Sequence, residues 1–176
     1  MGKSKEPIYL IGFMGCGKST IGRALAKRLG VNCLEMDEIL VKRAGKPIAK
    51  IFEEDGEEVF RRMESELLCE TAGQAAVVSC GGGVALRTEN AERMRQNGIV
   101  FLLAATPQTI YERVKKHTGR PLLNGHMNVE YIAQLMEKRA PFYEAAAEIT
   151  VRVDGRGIEE IVDEIVDVLA ARPQSL

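Results

Sequence analysis

The stretch GFMGCGKST, at residues 12–20, constrains the fold more than any other part of the chain. It follows IYLIG, a short apolar run typical of a buried strand, and it leads into residues 18–29, whose apolar side chains recur at helical spacing. It fits the pattern G-x-x-x-x-G-K-[ST], in which glycines let the backbone wrap around phosphate with its N–H groups pointing inward. The sequence therefore predicts a strand, a phosphate-binding loop and a helix, in that order.

The loop is predicted to bind the phosphates of ATP. The Lys18 ammonium can reach the β and γ phosphates, and the Ser19 hydroxyl can ligate Mg²⁺. The free N–H groups and the positive end of the following helix add to the attraction for phosphate. A glycine-rich turn before an ordinary helix is the alternative interpretation. The residues that we assign to the ATP site in this loop are Gly12, Gly15, Cys16, Gly17, Lys18, Ser19 and Thr20.

Apolar runs and helical periodicity alternate along the rest of the chain. Further strands are predicted at 31–35, 75–79, 99–104 and 149–153, and further helices at about 37–44, 47–55, 57–72, 87–96, 107–117, 128–147 and 158–169. In the last helix one apolar stripe comprises Ile158, Ile161, Val162, Ile165, Val166 and Leu169. This alternation predicts a mostly parallel sheet with helices on both faces, within one domain of 176 residues.

Composition and charge exclude several classes of protein. The net charge is −1, so no general attraction to nucleic acid or to an anionic membrane is expected. No apolar run reaches the ~18 residues that span a bilayer. The N-terminal MGKSKEP lacks the apolar core of a secretion signal, so a cytoplasmic location is expected. The four cysteines fit no zinc pattern, so reduced thiols are expected. No feature of the sequence requires a dimer, so a monomer is expected.

A carboxylate and a glycine run follow two of the predicted strands. Asp37 comes after the second strand, and the carboxyl ends of parallel strands face a ligand crevice, so this carboxylate can bind a substrate hydroxyl. A helix N-cap is an equally good interpretation of Asp37. SCGGGV places Gly81, Gly82 and Gly83 after the third strand. Such a run lets a ligand approach the backbone closely, although a flexible turn is the alternative.

Several arginines lie where they could bind anions. Arg61 and Arg62 lie on one predicted helix and Arg139 on another, and each alone is typical of a solvated surface charge. A guanidinium can bind carboxylate or phosphate through two parallel hydrogen bonds, which an ammonium cannot do as well. GRPLL places Arg120 in a glycine-containing loop at 117–128. This is the layout of a lid that closes over phosphates, and a surface loop with an incidental cation is the alternative.

In order and spacing these motifs resemble the shikimate kinases. The stretches that carry the resemblance are GFMGCGKST, EMD, IFEEDGEEVFRRMESE, SCGGGV, GRPLL and KRAPFYE, and it extends from residue 8 to about residue 168. Gluconate kinases and nucleotide monophosphate kinases share the phosphate loop but not this combination. The resemblance implies a three-layer α/β P-loop kinase fold with a five-stranded parallel sheet. It also implies a single domain over 1–176, with a lid at about 115–127 and a shikimate-binding region at about 37–64.

The resemblance implies transfer of the ATP γ-phosphate to the 3-hydroxyl of shikimate, with Mg²⁺ as cofactor, in aromatic amino acid synthesis. It implies that Lys18, Asp37 and Arg120 are catalytic, and that Arg61 and Arg139 hold the substrate carboxylate. The other substrate residues that it implies are Asp37, Gly81, Gly82, Gly83, Phe52, Phe60 and Glu64, of which Glu64 steadies the arginines. A kinase for another polyol acid, such as gluconate, and a nucleotide-gated binding protein without catalysis remain the alternatives.

Two parts of the ATP site are less well defined by the sequence. The resemblance points to Arg113 and Arg156 as adenine contacts and to Arg120 as a phosphate contact, and solvated surface charges are the alternative for Arg113 and Arg156. The family usually has Asp-x-Asp where this chain has EMD, so Glu35 stands at the first acidic place. We expect Ser19 to be the direct metal ligand and Glu35 to lie just beyond it, because Mg²⁺ keeps several of its waters.

Overall fold

A five-stranded parallel sheet forms the centre of this protein, as seen in a computed structural model that describes residues 6–116 and 128–173. The strands are β1 (Ile8–Ile11), β2 (Asn32–Glu35), β3 (Ala76–Ser79), β4 (Ile99–Ala104) and β5 (Ile149–Arg152). Their order in the sheet is β2-β3-β1-β4-β5, and all four pairings are parallel. The predicted fold class is therefore confirmed.

The helices fill the connections between these strands. Within the described residues they are α1 (Lys18–Leu29), α2 (Met36–Ala44), α3 (Ile48–Glu54), α4 (Glu57–Glu70), α5 (Thr88–Asn97), α6 (Pro107–Val114), α7 (Val129–Ala146) and α8 (Ile158–Ala171), with a short 3-10 turn at Val84–Leu86. Each of the predicted helices is present, with ends that differ by at most three residues because terminal turns are specified weakly by sequence.

Strand β1 shows that both faces of the sheet are covered. All four of its residues are at most 2% exposed. Successive side chains of a strand point to opposite faces, so a strand that is buried throughout must have neighbours above and below it. Helices α1 and α8 pack against each other, and α5 packs against α7. This arrangement turns the carboxyl ends of β1, β2 and β3 towards one shared edge, where the polar motifs follow.

The apolar stripe of α8 is confirmed only in part. Ile161, Val162 and Ile165 are buried, but Ile158 is 43% exposed. Ile158 is the first residue of the helix, and its side chain lines the cleft instead of packing in the core. Ile158 therefore belongs to the apolar stripe but not to the buried core.

No helix in residues 6–116 and 128–173 combines the length and the apolar character needed to cross a bilayer.

The turn from α5 into β4 leads to a stability prediction. The Gly98 backbone is extended, at φ −167°, so its conformation suits any residue, but a Cβ at Gly98 would overlap the carbonyl oxygen of Pro7. We expect Gly98→Ala to lower the free energy of unfolding by about 1–3 kcal/mol, measured by urea denaturation, because the start of β1 must move. Gly157→Ala is the control, since a Cβ there meets no atom within 4 Å. It should cost only about 0.5 kcal/mol as a weaker N-cap. Equal losses would contradict the steric argument.

Candidate active site

A cleft of about 960 Å³ opens at the carboxyl ends of the central strands. It is lined by the phosphate loop and by residues from α2, α3, α4, the glycine run and α7. The predicted site residues that line it are Gly15, Cys16, Gly17, Lys18, Ser19, Thr20, Glu35, Asp37, Phe52, Phe60, Arg61, Glu64, Gly81, Gly82, Gly83, Arg113, Arg139 and Arg156. Distant motifs of the sequence therefore meet in one place. Gly12 does not line the cleft, and Arg120, with residues 117–127 of the predicted lid, falls outside the described residues.

The glycines of the phosphate loop have the backbone conformation that a wrapped loop requires. Gly15 and Gly17 have φ angles of 78° and 104°, a region that other residues avoid. A Cβ at Gly12 would lie 2.7 Å from the carbonyl oxygen of Leu103. Helix α1 begins at Lys18 without a side-chain cap, so its first N–H groups face the cleft. This geometry fits a phosphate group better than an ordinary turn does.

Lys18 folds over the loop that precedes it. Its Nζ donates hydrogen bonds to the carbonyl oxygens of Gly12 at 2.7 Å and Phe13 at 3.1 Å, and it lies 3.7 Å from the Cys16 sulfur. Cys16 itself is buried, so its side chain packs beneath the loop. The positive charge is thus held at the mouth of the loop, where phosphate oxygens would take the place of these carbonyls.

Ser19 and Glu35 form a direct contact at the other side of the loop. The Ser19 hydroxyl donates a hydrogen bond of 2.8 Å to Oε2 of Glu35, and Nε of Arg23 lies 3.5 Å from Oε1. Across the part of the chain that the structure describes, no cluster of three or more His, Cys, Asp or Glu could hold a metal by itself. Mg²⁺ needs only one or two protein oxygens beside phosphates and waters. A hydroxyl and a buried carboxylate 2.8 Å apart fit that requirement.

The glycine run supplies space rather than unusual backbone angles. A Cβ at Gly81 would lie 2.8 Å from both Oδ1 of Asp37 and Oε2 of Glu64. A Cβ at Gly83 would overlap the guanidinium of Arg61. Among the described glycines of positive φ, none belongs to this run. The flexible-turn interpretation is therefore wrong: the glycines are needed because charged side chains pack directly against the backbone.

Arg61 is held on three sides. Its Nη1 donates a 2.6 Å hydrogen bond to Oε1 of Glu64. Its Cζ lies 5.9 Å from the ring centroid of Phe52 and 5.4 Å from that of Phe60. The two rings pack edge to face at 5.2 Å. Cation–π contact and the ion pair together fix the direction of the guanidinium, whereas Arg62, one residue further along α4, is exposed.

Glu64 is a buried carboxyl with an unusual proton affinity. It is 1% exposed, and its Oε2 has no hydrogen-bond partner among residues 6–116 and 128–173. Burial raises the pKa of Glu64 to about 7, although the paired Arg61 works in the opposite direction, and the nearby Asp37 raises the pKa further. The Arg61–Glu64 pair therefore takes up or loses a proton near neutral pH.

Arg139 is a buried cation with an unused donor. It is 8% exposed, its Cζ lies 5.4 Å from the ring centroid of Phe13, and its Nη1 has no hydrogen-bond partner in the described ranges. A Cβ at Gly82 would lie 3.7 Å from that Nη1. Buried donors normally have partners. An unused guanidinium N–H at a cleft wall therefore indicates an anion site. The interpretation as a surface charge is wrong for Arg139 and holds for Arg62.

Asp37 is not a helix cap. The N-cap of α2 is Glu35, and Asp37 lies within the first turn. The N-cap interpretation of Asp37 is therefore wrong, and its carboxylate lies instead beside Gly81. Two polar motifs that are distant in sequence, EMD and the glycine run, thus lie close together because β2 and β3 are neighbours with Glu35 opposite Ser79.

The two predicted adenine contacts both line the cleft but differ in their surroundings. Arg113 donates a hydrogen bond of 3.2 Å to the carbonyl oxygen of Gly15, which ties α6 to the phosphate loop. Arg156 pairs with Glu160 at 3.0 Å and Glu164 at 2.5 Å. Arg113 is therefore fixed against the phosphate loop, whereas Arg156, which precedes α8, is paired with two carboxylates of that helix.

Sequence reasoning missed two residues that belong to this region. Ile158 lines the cleft with an exposed apolar side chain, and only its position at the first turn of α8 could have indicated this. Tyr143 donates a hydrogen bond of 2.6 Å to the carbonyl oxygen of Gly82. Its position four residues after Arg139 in KRAPFYE places it on the same helix face, which was the available signal.

Comparison with known proteins agrees with this geometry. The family model described as shikimate kinase matches residues 14–170. A shikimate kinase of Dehalococcoides mccartyi is 41% identical over 170 residues, which is 95% of each chain. A solved structure of the Acinetobacter baumannii shikimate kinase in complex with shikimate has a TM-score of 0.92 at 30% identity, and covers 98% of this chain and 97% of its own. A gluconokinase of Sinorhizobium meliloti shares the fold alone, with a TM-score of 0.61 at 20% identity over 96% of this chain and 94% of its own.

The proton affinity of Glu64 leads to a prediction about stability and pH. Its folded pKa of about 7 lies above the ordinary value of 4.5, so the folded protein binds this proton more tightly than the unfolded chain. The stabilisation is complete below pH 4.5 and is lost as pH rises through about 7. Relative to Glu64→Gln, which cannot ionise, the wild-type free energy of unfolding should fall by on the order of 2 kcal/mol across that window. Denaturation curves measured from pH 4.5 to 8 test this, and parallel pH profiles would contradict it.

Proposed function

The chain belongs to the shikimate kinase family, and we propose that it transfers the γ-phosphate of ATP to the 3-hydroxyl of shikimate, a step in aromatic amino acid synthesis. The observation that carries this proposal is the convergence of Arg61, Arg139 and Asp37 on one glycine run beside the phosphate loop. A generic nucleotide-binding protein has no need for two partly or fully buried guanidiniums there. A cytoplasmic location and a monomeric state stay predictions from the sequence.

At the nucleotide end of the cleft, the chain's contribution is charge and position. Lys18 Nζ and the first N–H groups of α1 would hold the β and γ phosphates. Ser19 and Glu35 are the residues that would hold Mg²⁺, which when bound offsets phosphate charge. Arg113, which already contacts the loop at Gly15, would flank the nucleotide. Arg120 lies outside the described residues, and its role on the transferring phosphate stays a prediction.

At the acceptor end, each part of shikimate has a chemical counterpart. Shikimate carries one carboxylate, and the Arg61 and Arg139 guanidiniums offer forked N–H donors to it. Phe52 and Phe60, which wall the same side as Arg61, would cover the apolar face of the ring. Asp37 would accept hydrogen bonds from hydroxyls on the opposite side. The substrate would thus be held with its carboxylate at α4 and α7 and a hydroxyl towards the phosphate loop.

The reaction that follows is an in-line phosphoryl transfer without a covalent enzyme intermediate. The shikimate oxygen forms a bond to the γ-phosphorus, the bond from that phosphorus to the bridging oxygen of ADP breaks, and the hydroxyl proton passes to Asp37 or to solvent. Asp37 orients the hydroxyl, and Lys18 offsets charge on the phosphates. Most of the rate enhancement would come from position and fixed charge rather than from acid–base chemistry.

An acceptor panel tests the substrate assignment. ADP release is measured with shikimate, with gluconate and with no added acid, at saturating MgATP. We expect shikimate alone to raise the rate far above the background hydrolysis. Release with gluconate but not with shikimate would replace the proposed substrate, and equal slow release in all three would favour a nucleotide-gated binding protein.

The adjacent arginines of α4 provide a matched pair of variants. We expect Arg61→Lys to raise the KM for shikimate by roughly 10- to 100-fold, because an ammonium loses the two-point contact. The KM for ATP should change by less than about twofold, since the phosphate loop is untouched. Arg62→Lys is the control, because Arg62 is exposed and does not line the cleft, and it should behave as wild type. Similar KM values for the two variants would exclude a substrate role for Arg61.

The acidic residues around Arg23 provide a second pair. Glu35→Gln removes the charge beside Ser19 but keeps an oxygen that can accept its hydrogen bond, so we expect the half-saturating free Mg²⁺ to rise roughly tenfold. Glu38→Gln is the control, since Glu38 also lines the cleft and pairs with the same Arg23 at 2.7 Å, but its side chain is exposed and Ser19 bonds to Glu35 instead. Titrations of activity and of Mn²⁺ binding to the ADP complex measure the effect. An unchanged metal requirement in Glu35→Gln would remove Glu35 from the metal site.

A further inference from the structure

Tyr143 makes a part-buried hydrogen bond to the middle of the glycine run. Its hydroxyl donates to the carbonyl oxygen of Gly82 at 2.6 Å, and the residue is only 5% exposed. It lies four residues after Arg139 on α7, so the two side chains share one face of the helix. One helix face therefore carries Arg139, which is predicted to bind the substrate carboxylate, and Tyr143, which contacts the backbone that borders the same cleft.

The carbonyl of Gly82 is engaged in a different way from the carbonyls of Gly81 and Gly83. The N–H of Val84 donates to Gly81 and the N–H of Leu86 donates to Gly83, both at 3.2 Å, so these two carbonyls are tied by local turns. The carbonyl of Gly82 is the one that a distant side chain holds. The orientation of the peptide between Gly82 and Gly83 thus depends on a residue 61 positions away in sequence.

The geometry of the peptide bond extends this constraint to an N–H group. Within residues 6–116 and 128–173 every peptide bond is trans. In a trans peptide the C=O and N–H groups point in opposite directions. With the Gly82 carbonyl held towards α7, the N–H of Gly83 is fixed pointing away from α7. Gly83 is also the residue against which the Arg61 guanidinium packs, so this peptide lies between the two arginines.

The Tyr143 hydroxyl remains a donor at neutral pH. Burial raises the pKa of Tyr143, although the neighbouring Arg139 guanidinium acts in the opposite direction. The phenol therefore keeps its proton at neutral pH, so it can donate the hydrogen bond to the Gly82 carbonyl.

We propose that Tyr143 is a positioning residue for the acid-binding end of the cleft. It fixes the peptide between Gly82 and Gly83 at a set distance from Arg139. The inference rests on the proposed function, because the ligand in question is the shikimate carboxylate and its ring. Tyr143 does not touch the substrate itself. It keeps the glycine run and the α7 guanidinium in one rigid relation, so that both meet the same small acid.

A matched pair of Tyr→Phe variants separates this role from simple packing. Tyr143→Phe keeps the ring and removes the hydroxyl. Tyr9→Phe does the same at a second buried tyrosine, whose hydroxyl lies 2.9 Å from Oγ1 of Thr71. Thr71 follows the C-terminal end of α4, about 15 Å along that helix from Arg61, so the control lies away from the cleft. Each variant loses one hydrogen bond of a tyrosine hydroxyl, and both should melt at a slightly lower temperature than wild type.

The readouts are the dissociation constant of shikimate, measured by calorimetry without nucleotide, and the KM values for shikimate and ATP. We expect Tyr143→Phe to weaken shikimate binding five- to thirtyfold and to leave the KM for ATP within twofold. Tyr9→Phe should leave both unchanged. If Tyr143→Phe melts like Tyr9→Phe and binds shikimate within twofold of wild type, Tyr143 only packs, and the positioning role is overturned. If wild-type protein itself fails to bind shikimate, the proposed function falls, and the positioning role falls with it.

Discussion

The close approach of charged side chains to a backbone without side chains is the constraint on which the site depends. Gly81 leaves room for the carboxylates of Asp37 and Glu64, and Gly83 leaves room for the guanidinium of Arg61. These groups belong to α2 and α4, which precede β3 in the sequence. Only the parallel sheet, with β2 beside β3, brings them to the same edge. The glycine run is thus a meeting point that the sheet order creates and that any larger residue would disrupt.

Burial of these charges has an energetic cost that the fold offsets in unequal ways. Arg61 has Glu64 as a partner, and two phenylalanine rings shield the pair from water. Arg139 has an aromatic neighbour in Phe13 and an Nη1 without a described hydrogen-bond partner. A protein selected for stability alone would pair or remove such a group. The presence of this unpaired donor beside Gly82 fits a site that a bound anion completes. Functional sites often depart from the packing that would be best for stability.

The sequence predicted those features of the site that depend on contiguous residues. The phosphate loop was predictable because its glycines, lysine and serine act through local backbone geometry, which the motif itself determines. Asp37 was ambiguous because a carboxylate at a strand–helix junction suits both a cap and a ligand site. Arg61 and Arg62 differ by about 100° around the helix axis. That rotation decides which one faces the cleft, and it depends on how α4 packs.

The contacts that the sequence could not predict are the ones that join elements far apart in the chain. The hydrogen bond from Tyr143 to Gly82 depends on the position of α7 over the turn after β3, which no local pattern specifies. Ile158 continues a perfect helical stripe, but it is exposed and lines the cleft, while Ile161, Val162 and Ile165 are buried. Periodicity identifies the face of a helix that is apolar, whereas the length of the surface beneath it decides how much of that face is buried.

Glu35 illustrates how a single methylene changes a site without changing its charge. An aspartate at this place would hold its carboxylate roughly 1.5 Å closer to the backbone, about one carbon–carbon bond. The longer glutamate brings Oε2 to 2.8 Å from the Ser19 hydroxyl, which is a full hydrogen bond. Nε of Arg23, on α1, lies 3.5 Å from the other oxygen of Glu35, and Arg23 also pairs with Glu38. The Glu35 carboxylate is therefore held in its extended position by a residue of α1. The extra length therefore fixes the orientation of Ser19 directly, a task that a shorter carboxylate would have to share with a bridging water.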